Sequence, residues 1–114
     1  MKKIILDCDL GMDDSMAIIM AAKSPTIDLL AVTAVNGNYP VDVTSTNARK
    51  IMELLDITDI PVARGMEKPI VRESPKDPFT HGVDGQAENF LPDSKLPLSE
   101  KHAVDMIIDL VKEN

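Results

Sequence analysis

The chain predicts an α/β fold, a mostly parallel sheet with flanking helices of Rossmann-like type. Three observations lead there. Short apolar or β-branched runs alternate with helix-period stretches, Gly, Pro and Asn punctuate the junctions, and the acidic residues gather directly behind the first apolar run.

The elements follow in order. Ile4 to Leu6 is a continuous apolar run of the kind that buried parallel strands use. From Asp13 to Lys23 the pattern turns helical. Met16, Ile19, Met20 and Lys23 supply the three- and four-residue spacing, and Asp13 or Asp14 sits at the N-terminal end, where free backbone N–H groups favour carboxylates. Ser24-Pro25 stops that helix. Residues 29–35 (LLAVTAV) read as a second strand, broken by Asn36-Gly37-Asn38-Tyr39-Pro40. A second helix is expected from Asp42 to Leu55, with Ala48, Ile51, Met52 and Leu55 on one face, then a short strand at Ile60 to Ala63.

Residues 64–98 hold most of the prolines and little periodicity, so a long loop is expected there. Ser99 to Lys112 closes the chain as an amphipathic helix. Ala103, Met106, Ile107, Leu110 and Val111 form its apolar stripe, and Ser99 is the expected cap. The methionines at 16, 20, 52 and 106 are expected in the core, and Cys8 as a small packed residue of the first strand.

A length of 114 residues fits one domain, 1–114. Nineteen acidic against 12 basic residues give a net charge of -7, which leaves no basic stripe for nucleic acid or an anionic membrane surface. A single cysteine excludes an internal disulfide and a cysteine-based zinc site. The apolar run after Lys2-Lys3 is too short for a signal peptide, and no window approaches a membrane span, so the cytoplasm is the expected address.

Alternating strands and helices joined by right-handed crossovers bring every strand-to-helix loop to one edge of the sheet, where ligands of open α/β sheets bind. DCDLGMDD at residues 7–14, NGN at 36–38 and RGMEKP at 64–69 should therefore share a rim. Strand alternation sends Asp7 and Asp9 to one side and Cys8 to the other, while Gly11 permits a tight turn into the helix. Four neighbouring carboxylates repel one another, and oxygen donors without a thiolate or imidazole set select a hard cation, calcium or magnesium. An EF-hand is excluded by Gly11 and Ile18 at its fifth and twelfth positions, and a P-loop by the missing Gly-Lys-Ser/Thr. Plain turn and cap roles for the aspartates are the alternative. An Asp-x-Asp after a first strand also occurs in aspartyl-phosphate phosphotransferases, but Leu10 to Asp14 departs from the threonine or valine pattern used there.

DCDLGMDD resembles the Asp-x-Asp-x-Gly-x-Asp-Asp fingerprint of the nucleoside hydrolases, the inosine-uridine-preferring nucleoside N-ribohydrolases. The similarity continues in order through LLAVTAVNGN, Asn47-Ala48, PVARGMEKP and HGVDG. The resemblance implies a nucleoside hydrolase type of α/β fold and calcium-dependent hydrolysis of the N-glycosidic bond of purine or pyrimidine ribonucleosides, in nucleoside salvage. It implies that Asp9 binds calcium and is the base toward a calcium-bound water, that Asp14 is a second calcium ligand, and that Asp13 holds the ribose hydroxyls. Asn38 would orient ribose or water, His81 would line the substrate pocket, and Asp7 would support the loop. Family members are longer, so the chain reads as an apparently truncated N-terminal portion. Two readings stay open: a hydrolase completed by a C-terminal half or by a homo-oligomer, and a non-catalytic metal- or nucleoside-binding remnant of the same fold.

Overall fold

The computed structural model describes residues 1–77, 80–86 and 89–114. Its order is β1 (Lys2–Cys8), α1 (Met12–Lys23), β2 (Ile27–Ala34), α2 (Val41–Leu54), β3 (Val62–Arg64) and α3 (Ala103–Glu113). The three strands are parallel in the order β1-β2-β3. Lys2 pairs with Ile27 and Cys8 with Ala34, with a register shift between Ile4 and Ile5, and Val32 pairs with Val62.

Side-chain size sorts the layers. On one face α1 and α2 close a core of Leu10, Ile18, Leu29, Val32, Ile51, Met52 and Val62. On the other face Ala31 and Ala63 leave room for α3, which sets Ala103 and Met106 against them. The first two crossovers thus use one face and α3 takes the opposite one, so the chain changes face after β3. In open α/β sheets ligands bind beyond the carboxyl ends of the strands.

Two expectations about helices fail, for identifiable reasons. Met16 and Met20 are exposed, at 58% and 70%, while Ser15, Ile18 and Ala21 are buried. Residues 16–22 are apolar all the way round the helix, so the spacing fits more than one phase, and packing beneath Leu10 selects the Ile18 face. Met52 and Met106 are in the core as expected. The last helix begins at Ala103 rather than near Ser99. His102 is its N-cap, Nδ1 accepting from the Val104 N–H at 3.2 Å, whereas Ser99 Oγ accepts from the Lys101 N–H and shapes the preceding turn.

The expected long loop starts where β3 ends. Four of its residues, Pro78, Phe79, Ala87 and Glu88, lie outside the described residues. No described helix is long and apolar enough to cross a membrane.

Candidate active site

The acidic segment occupies the gap between β1 and α1. Gly11 is the N-cap of α1 and has no side chain with which to cap it; Asp13 and Asp14 fall in the first turn, where the helix N-terminus favours negative charge. The cap comes from another loop. The Met12 N–H donates to His81 Nδ1 at 3.1 Å, which leaves Nε2 as the protonated nitrogen of the neutral ring, 4.0 Å from Asp13 Oδ1. His81 packs so closely on Gly11 that a Cβ there would lie 2.6 Å from its ring. Tyr39, only 5% exposed, tilts against the same imidazole at 6.5 Å between centroids and donates its hydroxyl to the Gly82 carbonyl.

Asp9 and Asp14 meet across the loop. Asp14 Oδ2 accepts from the Asp9 N–H at 3.1 Å. Burial pushes the Asp14 carboxyl up to about 6, helped by the Asp9 carboxylate beside it and then by the charge of Asp13. Among the described residues no lysine or arginine forms an ion pair with either member. Asp7 is exposed and accepts from Thr33 Oγ1 at 2.6 Å, tying the end of β1 to β2. Cys8 points the other way. Its Sγ lies 3.8 Å from the Thr33 carbonyl, and burial, reinforced by Asp14, pushes the thiol up to about 12.

The loop after β2 closes the rim. A Cβ on Gly37 would overlap the Asp9 carboxylate, so the NGN segment lies directly against that side chain. Asn36, rather than Asn38, makes the side-chain bridges: its Nδ2 donates to Ser74 Oγ at 2.6 Å, and its Oδ1 accepts from Lys76 Nζ. Lys76 Nζ also donates to the Gly37 carbonyl at 3.0 Å. Half-buried Asn38 sits on the same rim, where its carbonyl accepts from the Asp77 N–H at 3.1 Å. The loop after β3 joins through the Asn36 N–H, which donates to the Met66 carbonyl.

The structure therefore groups Asp9, Asp13, Asp14 and His81 around Gly11, with Gly37 against Asp9. Asp7 stands at the back of the group. Sequence reading gave no site role to Gln86, Ser15, Tyr39 and Asn47, all buried, which tie residues 82–86 to α1, to the loop after β2 and to α2. A polar side chain at a helix position that otherwise faces the core was the available signal, at Ser15 in α1 and Asn47 in α2.

Oxygen-only donors suit a hard divalent cation, and the crowding of Asp14 by Asp9 is a charge imbalance that such an ion relieves. The fit is partial. Among the described residues no group of three or more His, Cys, Asp or Glu side chains is arranged to hold a metal, so Asp9 and Asp14 offer two ligand side chains.

The family model described as inosine-uridine preferring nucleoside hydrolase matches residues 4–114. The inosine-uridine preferring nucleoside hydrolase of Crithidia fasciculata is 43% identical over 111 residues, 96% of this chain and 35% of that protein. The pyrimidine-specific ribonucleoside hydrolase RihB of Escherichia coli is 43% identical over 108 residues, 95% of this chain and 34% of its own length. Among solved structures, a purine-preferring ribonucleoside hydrolase from Gardnerella vaginalis superposes with a TM-score of 0.91 at 35% identity, covering 98% of this chain and 37% of that one. The chain thus spans about a third of the length of the relatives it matches.

Proposed function

The chain belongs to the inosine-uridine preferring nucleoside hydrolase family, matching its N-terminal portion, and from that premise we propose that it serves hydrolysis of the N-glycosidic bond of ribonucleosides. The observation that carries the proposal is the meeting of Asp9 and Asp14 at the carboxyl end of β1. In the overall reaction water adds to the anomeric carbon, the carbon–nitrogen bond breaks, and the base leaves with the bonding pair and one proton.

Asp9 and Asp14 would hold a divalent cation, calcium in our reading, through their carboxylates. A cation there supplies a water of lowered pKa at a fixed place. Asp9, pressed between Gly37 and the Asp14 loop, takes the proton from the attacking water. Asp13, exposed in the first turn, receives the ribose hydroxyls, and Asn38 on the facing loop orients ribose or water. His81 lines the pocket and holds the start of α1 in register. Departure of the base leaves positive charge on the sugar, which the gathered carboxylates stabilise.

These residues form one side of a site. We infer that the rest of the family fold packs on the groove of about 570 Å³ lined by Ile5, Leu30, Ile107, Leu110 and Val111, whose apolar walls are open to solvent. Release of ribose from inosine and from uridine, with calcium present, tests the proposal. Turnover that Asp9→Ala abolishes supports it. Calcium and nucleoside binding without ribose release at any protein concentration would instead identify a binding module of the same fold.

A further inference from the structure

One short loop holds both ends of a single peptide group in the acidic segment. The N–H of the Gly11–Met12 peptide donates to His81 Nδ1 at 3.1 Å, and its carbonyl accepts from Gln86 Nε2 at 3.2 Å, beside the Ser15 N–H at 3.2 Å and Ser15 Oγ at 3.0 Å. The described chain has no cis peptide, and in a trans peptide these two groups point in opposite directions. His81 and Gln86 therefore grip the plane from either side, across 69 and 75 residues of sequence.

Gln86 is 6% exposed, and its amide is bonded at both the oxygen and the nitrogen. Oε1 accepts from Ser15 Oγ at 2.7 Å, and Nε2 also donates to the Gly85 carbonyl at 3.0 Å. Ser15 is itself 5% exposed and follows Asp14 directly. The glutamine thus holds the chain at Gly11, two residues before Asp13, and at Ser15, immediately after Asp14. A hydrocarbon of the same volume would fill the space without fixing either point.

We propose that Gln86 is a positioning residue for the acidic pair. With His81, and with Ser15 whose hydroxyl it holds, it sets the tilt of the Gly11–Met12 plane, and that tilt decides where the first turn of α1 places the Asp14 carboxylate relative to Asp9. The proposal rests on the cation reading above and adds a residue, distant in sequence, that governs how well the pair can chelate. Gln86 itself touches neither ion nor substrate.

The test uses the full chain, titrated calorimetrically with calcium chloride, and compares Gln86→Met, Gln86→Glu and the core variant Met52→Ala. Gln86→Met keeps length and volume but removes all three hydrogen bonds; Gln86→Glu keeps the acceptor for Ser15 and loses the donor to Gly11. Both should raise the calcium dissociation constant by about tenfold or more, the usual effect of losing a partner that orients metal ligands. Met52→Ala should lower the melting temperature at unchanged calcium affinity. Wild-type affinity in both Gln86 variants would overturn the proposal, whatever their melting temperatures.

Amide exchange at Met12 in calcium-free protein separates this proposal from the cation reading. Faster exchange at Met12 in Gln86→Met, with protection of α2 unchanged, supports the grip on the peptide even if calcium fails to bind wild type. Unchanged exchange at Met12 would overturn it.

Discussion

The backbone N–H of Asp9 donates to Asp14 Oδ2 at 3.1 Å, closing the acidic segment into a ring between β1 and α1. The same bond sets two carboxylates side by side. Burial and the neighbouring Asp9 charge then push the Asp14 carboxyl up to about 6, from an ordinary value of 3.8.

That shift has a sign in stability. Below 3.8 the Asp14 carboxyl is protonated in both folded and unfolded chains, and its ionisation makes no difference. Between 3.8 and about 6 the folded chain binds more protons, so stability falls as pH rises through this window. After allowance for screening by water, the fall should be about 1–2 kcal/mol. Urea unfolding at pH 4 and pH 7 in chelator should show it in wild type relative to Asp14→Asn, and calcium should remove it.

Gly37 has no room for a side chain against Asp9. Gly37→Ala should therefore destabilise the fold by about 1–3 kcal/mol, the usual range for overfilling a packed place. It should also weaken calcium binding, because Asp9 is the group that must move. Denaturant melts with and without calcium check both effects. An alanine variant as stable as wild type would mean that the NGN loop stands clear of Asp9.

Cys8 should be inert in the folded chain. With its thiol pushed up from 9.0 to about 12, the thiolate fraction near neutral pH falls by roughly a thousandfold. Alkylation by iodoacetamide at pH 8 should be slow in buffer and fast in urea. Equal rates would contradict the burial of this side chain.

The phase of α1 can be read from two methionines. Met16, 58% exposed, should tolerate alanine within about 0.5 kcal/mol, as surface positions do. Met52, fully buried between α2 and the sheet, should cost about 2–5 kcal/mol when cut to alanine. Comparable losses at both sites would place α1 in the other phase.

The parallel α/β sheet and the meeting of its loops at one edge were legible because they follow from local signals. Ile4 to Leu6 and the β-branched run before Asn36 identify buried strands, and two crossovers oblige the loops after them to meet at one edge. The aspartates stood out because so much like charge at a strand end opposes folding unless something offsets it. The phase of α1 was illegible, since an evenly apolar helix gives no moment to orient it. The start of α3 was hidden too: His102 competes with Ser99 for the cap, and only the fit of Ala103 against Ala31 and Ala63 decides between them. Gln86 and Ser15 were invisible for a different reason. Their bond joins residues 71 apart, and single-sequence spacing carries no information about such pairs.

Calcium titration of the folded chain, wild type beside Asp9→Asn and Asp14→Asn, tests the central claim most directly. Wild type should bind one ion per chain, and a hundredfold excess of calcium over its dissociation constant should stabilise the fold by about 2.7 kcal/mol. Each variant should lose most of that heat and most of that stabilisation. Equal binding by all three proteins, or no binding by wild type, would contradict a cation site built on Asp9 and Asp14.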